Sequence, residues 1–355
     1  LHTPPAPPDI TLRLLRAPGR PRAPPARSRR PRALAPMALD AAELDRALEV
    51  AVASVREAGE RVVGCGVGAG RRARRDRHSV ARPTPPVSCS PGGAIIRGAF
   101  HAPKAVTTKA GDRDLVTATD QAAEKAVLGA LRAAFPSHSF IGEEEAAAAG
   151  GCPPIGPEPT WCVDPLDGTT NFVHAFPFVC VSVGLLVDHA PTLGVVFNPI
   201  LDELFVAATG RGATLNGVPI KAREGATELS TSLVGTEIGT STDPAVLDAM
   251  YGRVRSFASA ARSLRCGGSC ALGLAAVAAG RLDAFFEVGF GGPWDAVAGA
   301  CIVAEAGGVV GDPAGGPYAA GARRVLAAAT PALAAECAAV LAAAPLAAAE
   351  PQVPQ

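Results

Sequence analysis

The stretch Trp161-Cys162-Val163-Asp164-Pro165-Leu166-Asp167-Gly168-Thr169-Thr170-Asn171 decides the reading of this chain. An apolar run with the look of a buried strand ends in two acids three residues apart. A proline pins the first acid, and a glycine and two hydroxyls follow the second. Carboxylates gathered at one point repel each other unless a cation sits between them. Burying two unpaired carboxylates is strongly unfavourable. The run therefore reads as a magnesium cage with a hydroxyl beside it, and so as phosphate chemistry.

Three further segments carry acids in similar company. Asp114-Leu115-Val116-Thr117-Ala118-Thr119-Asp120 enters a helix, with Lys109 upstream. Ile141-Gly142-Glu143-Glu144-Glu145 is the second, and Gly291-Gly292-Pro293-Trp294-Asp295, again at a helix start, is the third. Each has an ordinary reading when taken alone. Asp120 and Asp295 suit helix N-caps, and the three glutamates suit a solvated turn. Together they read differently. Two metals sharing one aspartate can sit about 3.5–4 Å apart and clamp both ends of a phosphoryl displacement. Asp164 would bridge, Asp167 and Asp295 would hold the second ion, and Glu143 would hold the first. The carbonyl of Leu166 would complete the cage.

The remainder of the chain bounds this reading. It has 355 residues, 48% apolar and 19% charged, enough for a real core. Net charge is zero but uneven. Residues 1–36 hold eight Arg against one acid, and residues 71–82 hold six Arg against one Asp. Those segments carry +7 and +5, which leaves −12 on everything else. An acidic body argues against nucleic-acid binding, and an anionic substrate on it needs metal ions. No apolar run reaches the roughly 18–20 residues that span a bilayer, so no membrane partner is expected. Nine Cys without a C-x-x-C spacing read as reduced thiols in a cytoplasmic protein. Cys266 and Cys270 lack nearby Cys or His partners and are poor zinc candidates.

Residues 1–36, with ten Pro, read as a disordered extension. Met37-Ala38-Leu39-Asp40 looks like a natural start. Three readings of the extension stay open: translated upstream sequence, an Arg-rich organelle transit peptide that would direct the protein to a plastid, or a basic binding arm. Leu44, Leu48, Val52 and Val55 predict a helix within 40–60. Residues 64–92 read as a Gly/Arg/Pro-rich insertion or an unspliced segment. Gly64-Cys65-Gly66-Val67-Gly68-Ala69 matches a dinucleotide fingerprint by letters, but an Arg-rich run follows it where a helix should open. Order resumes at Ala94. Helices are predicted at 122–135, 271–279, 295–306 and 331–341, and strands at 178–187, 192–197, 200–206, 283–288 and 308–311. Blocks of helix and strand predict an α+β fold with layers in the order α-β-α-β-α. The folded domain spans 37–345, and the tail 346–355 is expected to fray.

The four acid motifs, with Asp164-Pro165-Leu166-Asp167-Gly168-Thr169-Thr170-Asn171 and Gly292-Pro293-Trp294-Asp295-Ala296-Val297-Ala298-Gly299 foremost, resemble those of the inositol monophosphatase family. The resemblance runs from Lys109 to about Ala335, plus the first helix. It implies the family's layered sandwich and magnesium at Glu143, Asp164, Leu166, Asp167 and Asp295. Thr169 and Asp120, with Glu143, would activate the attacking water, and phosphate would lie against Gly168 and Thr169 at a helix start. Gly268, Ser269 and Cys270 would meet the substrate ring, Glu287 would accept from its hydroxyls, and Asp295 would also touch the substrate. The resemblance thus implies a Mg2+-dependent hydrolysis of myo-inositol monophosphate through two-metal activation of water, without a phosphoenzyme. Gly289-Phe290-Gly291 is similar to a plant-type branch that also takes L-galactose 1-phosphate. A homodimer and lithium sensitivity are further implications. The rival reading is a non-catalytic metal-binding scaffold of the same fold. Against it, every acid of the pattern and Thr169 are in place.

Overall fold

The computed structural model describes residues 39–56, 91–109, 113–344 and 346–352. The basic extension 1–36 lies outside them, as does most of the expected insertion. The end of that insertion differs from expectation. Pro91 and Gly92 already belong to a helix, with Pro in the first helical position, where its missing N–H costs nothing.

Helices α1 (Ala41–Arg56), α2 (Pro91–Ala99) and α3 (Ala118–Ala134) form the first layer. A short antiparallel hairpin, β1 (Val106–Thr108) and β2 (Leu115–Thr117), leads into α3. The second layer is a seven-stranded sheet. Its order is β3 (Ser139–Gly142), β4 (Thr160–Asp167), β5 (Cys180–Val187), β6 (Ala190–Asn198), β7 (Glu203–Ala208), β8 (Ala213–Leu215) and β9 (Val218–Ile220). Two short helices, α4 (Glu143–Ala148) and α5 (Thr169–Val173), extend from the ends of β3 and β4.

The third layer comprises α7 (Cys270–Ala278) and α8 (Pro293–Glu305), which pack on each other and lie between the two sheets. The fourth is a five-stranded sheet in the order β11 (Ser263–Arg265), β10 (Leu233–Thr236), β12 (Ala284–Val288), β14 (Arg324–Ala328) and β13 (Val309–Gly311). Helices α6 (Pro244–Ala260) and α9 (Pro331–Ala342) cover its outer face. The expected α-β-α-β-α sandwich is present.

Side-chain alternation explains the layering. On β5, Val181, Val183, Leu185 and Val187 face the first helices, while Cys180 and Leu186 face the middle layer. On β14, Val325 and Ala327 face inward, and Leu326 and Ala328 face α9. This is the period of two expected of a sheet covered on both faces. Helix α8 is buried along nearly its whole length and lies very close to the seven-stranded sheet. Gly184 makes this approach possible: a β-carbon there would sit 2.6 Å from Val297 Cγ1 and 2.8 Å from the Ala298 nitrogen.

The tail departs from the expected fraying over residues 346–352. Glu350 is buried and ion-paired to Arg253 of α6. Arg324 Nη1 donates to the Pro351 carbonyl at 3.0 Å. Two buried cations thus bind the tail to the body, which propensity alone does not reveal. No helix among the described residues is long and apolar enough to cross a membrane.

Candidate active site

The site begins with an irregularity in β4. Residues three apart on a regular strand point to opposite faces. Here Asp164 pairs with Ser182 and Asp167 with Cys180, so one extra residue is accommodated in between. Pro165 can donate no ladder hydrogen bond, which suits such a bulge. The bulge brings both aspartates to one side. Asp295, in the first turn of α8, joins them, and ligand oxygens of Asp164, Asp167 and Asp295 all lie within 4.8 Å of one another.

Each acid has one oxygen tied to the scaffold. Asp164 Oδ1 accepts from the Leu166 N–H at 2.8 Å. Asp167 Oδ2 accepts from Ser269 Oγ at 2.5 Å and from the Ala271 N–H at 2.8 Å. Asp295 Oδ2 accepts from the Gly292 N–H at 2.8 Å. Asp120 Oδ2 accepts from the Thr117 N–H at 2.8 Å. Asp120 and Asp295 are thus not N-caps. They stand three residues after the caps Thr117 and Gly292 and close the first turn from inside.

The other oxygens face the site. Thr169 Oγ1 lies 3.1 Å from Asp120 Oδ1 and 3.2 Å from the Leu166 carbonyl. Its single proton therefore has two acceptors, and its lone pairs stay open. Gly168 begins α5 with φ +89°, a left-handed conformation that favours glycine. A β-carbon there would also meet the Phe178 carbonyl at 2.9 Å and the Gly268 carbonyl at 3.1 Å.

Glu143 stands slightly apart from the trio. Lys109 Nζ bonds its Oε1 at 2.7 Å and Glu144 Oε1 at 2.6 Å. Burial alone would lower the Lys109 pKa, but these two carboxylates outweigh burial and hold it above the ordinary lysine range. Glu143 opens α4, whose first amides are capped by Glu124 of α3.

Electrostatics decide what this centre can hold. Burial, then the neighbouring acids Glu143, Asp167 and Asp295, push Asp164 well above the carboxylate range. Asp295 is driven up in the same way, by burial first and then Asp167 and Glu143. Burial pushes Asp167 up to about 6 even against its bonds to Ser269 and Ala271. Three buried carboxylates that repel each other match the all-oxygen donor set of a hard divalent cation. The residues present therefore fit magnesium.

Two of the residues expected to meet the substrate lie near this centre. Ser269, the N-cap of α7, holds Asp167. Glu287 on β12 lies beside Cys270, and its Oε2 is buried with no hydrogen-bond partner among the described residues. Three supporting residues were not singled out from sequence: Glu124, Ser182, whose Oγ donates to the Trp294 carbonyl at 2.9 Å, and Glu237, which accepts from the Gly267 and Gly268 amides. No local sequence signal marks them, because their partners lie 20 to 112 residues away.

A layered α+β body with a buried carboxylate centre between its sheets narrows the class. The chain matches the Inositol monophosphatase family over residues 88–345, and it belongs to that family. Inositol monophosphatase 2 of Solanum lycopersicum is 55% identical over 235 residues, covering 66% of this chain and 88% of that protein. Inositol monophosphatase 2 of Homo sapiens is 43% identical over 239 residues, covering 67% and 82%. Among solved structures, the inositol monophosphatase from Anabaena (Nostoc) sp. PCC 7120 superposes with a TM-score of 0.60 at 35% identity, covering 72% of this chain and 92% of that one.

Proposed function

We propose that this protein is a magnesium-dependent phosphomonoesterase that hydrolyses myo-inositol monophosphate to myo-inositol and phosphate. The observation that carries the reading is the buried trio Asp164, Asp167 and Asp295, whose oxygens lie within 4.8 Å of one another. With Glu143 and the Leu166 carbonyl, these residues would hold a pair of magnesium ions. Bound magnesium supplies positive charge to the phosphoryl oxygens and acidifies water.

The chain's own groups supply the rest. Thr169 Oγ1 is placed to accept from the attacking water while its proton rests on Asp120 Oδ1, 3.1 Å away. Phosphate would lie against the backbone at Gly168 and Thr169, where α5 begins. Glu287 Oε2, buried and without a partner, gains one when a substrate hydroxyl donates to it. A polyol fits that acceptor, and an apolar leaving group does not.

The test is phosphate release from myo-inositol 1-phosphate by purified protein, with magnesium and after chelation. We expect release that depends on the added ion. No release in magnesium, or release that survives chelation, removes the reading. L-galactose 1-phosphate presents similar hydroxyls, and its turnover measured under the same conditions ranks the two substrates.

A further inference from the structure

Glu237 is a half-buried acid for which the reaction above has no use. It follows β10 at the carboxyl end of the parallel trio β11, β10 and β12. Among the described residues its side-chain hydrogen bonds go to backbone amides and to no cation. Oε1 accepts from the Gly267 N–H at 3.0 Å, and Oε2 accepts from the Gly268 N–H at 2.7 Å. The same two residues are held through their carbonyls. Asn171 Nδ2 donates to the Gly267 carbonyl at 2.8 Å, the Gly268 carbonyl at 3.3 Å and the Phe178 carbonyl at 2.8 Å.

We propose that Glu237 and Asn171 are positioning residues that clamp Gly267–Gly268 from opposite sides and so set the ring-side wall of the site. This rests on the phosphatase reading above. The chemistry of the clamp is specific. A carboxylate is acceptor-only and satisfies two N–H groups at once, whereas an amide at that position sets its own N–H2 against one of them. Asn171 must be an amide, because its nitrogen faces carbonyls only.

The clamped segment touches both ends of the substrate site. Gly268 has φ +84°, and a β-carbon there would sit 2.8 Å from Asn171 Nδ2. Its carbonyl lies against Gly168, beside Thr169. The next residue, Ser269, donates to Asp167. Near the other end, Glu287 is influenced first by its own burial and next by the charge of Glu237. A shift of this segment therefore changes the space left for the substrate ring, while the fixed oxygens of Asp164 and Asp295 keep their backbone partners.

The experiment compares Glu237→Gln and Asn171→Ala with the parent on two substrates in magnesium. One is myo-inositol 1-phosphate. The other is p-nitrophenyl phosphate, whose leaving group offers no ring hydroxyls. Amide hydrogen exchange over residues 266–271 is measured alongside. For either variant we expect KM for inositol 1-phosphate to rise about tenfold with kcat held within about threefold, the effect of one backbone group of the segment left unpaired. Constants for p-nitrophenyl phosphate should change by a smaller factor than those for inositol 1-phosphate, and exchange over 266–271 should quicken about tenfold. Equal losses on both substrates, or unchanged exchange in both variants, overturn the clamp. A parent protein that releases no phosphate from inositol 1-phosphate overturns the phosphatase reading instead, and the exchange measurement still decides the clamp. If Glu237→Gln fails to fold, Asn171→Ala carries the test.

Discussion

The central aspartates each tie one oxygen to the scaffold and leave the other for the site. Changing one of them to its amide should therefore spare the fold and remove the chemistry. We expect Asp164→Asn and Asp295→Asn to lower turnover by at least about 10²–10³-fold, checked by steady-state kinetics in saturating magnesium. The same variants should melt higher than the parent in chelator, because a repelling charge has been removed. Thr169→Val should cost about 10²–10⁴-fold in turnover without weakening magnesium binding, read by calorimetric titration. The pH dependence has a definite sign. Asp164, Asp167 and Asp295 hold protons more tightly when folded than when unfolded. Without metal, the contribution of these three groups to stability is fully present below the unfolded carboxylate value and is lost as pH rises, for Asp167 through about 6. The thermal midpoint in chelator should fall between about pH 4 and 7; a flat or rising curve contradicts the cluster. These acids were legible in the sequence because their spacing around Pro165 and Pro293 makes little sense for a solvated surface. Glu237 was not, since one Glu after a short strand looks like any surface charge until Gly267 and Gly268 fold onto it.

Two elements do most to place those residues: the bulged strand β4 and the deeply buried helix α8. Helix α8 reaches its position because Gly184 and Gly194 both lack side chains. Gly184→Val should push the helix outward, costing about 1–3 kcal/mol of stability by overpacking and carrying Asp295 away from its partners. Denaturant unfolding and turnover of the same preparation check both effects. The amphipathic helices α1 and α3 were legible from their apolar period. The strand expected at 200–206 begins later, at Glu203, because Asn198 turns the chain by accepting from the Ile200 and Leu201 amides. Helix α6 escaped notice because its buried residues are few: Met250, Arg253 and Phe257. Strand β14 escaped because Arg324-Val325-Leu326-Ala327-Ala328 sits in an alanine-rich stretch that looks helical.

At the scale of the whole molecule, the layers were legible from the order of helix and strand blocks, but the docking of the tail was not. The Arg253–Glu350 pair is almost fully buried, with side chains 4% and 2% exposed. Arg253→Met leaves Glu350 buried and uncompensated and should cost about 3–5 kcal/mol, whereas exchanging both residues for Met should restore much of that. Urea titrations of the single and double variants measure the difference. The acid centre draws on parts that meet only when the layers assemble. Asp164 and Asp167 come from one sheet, Asp295 from the helix layer between the sheets, and Glu287 from the other sheet. No single element of the fold carries the full set, so a cation held by these acids would recognise only the assembled protein, and its binding free energy would add to cohesion between the sheets. Heat should then extinguish catalysis and tertiary structure in a single step, at a temperature that climbs with the logarithm of the magnesium concentration.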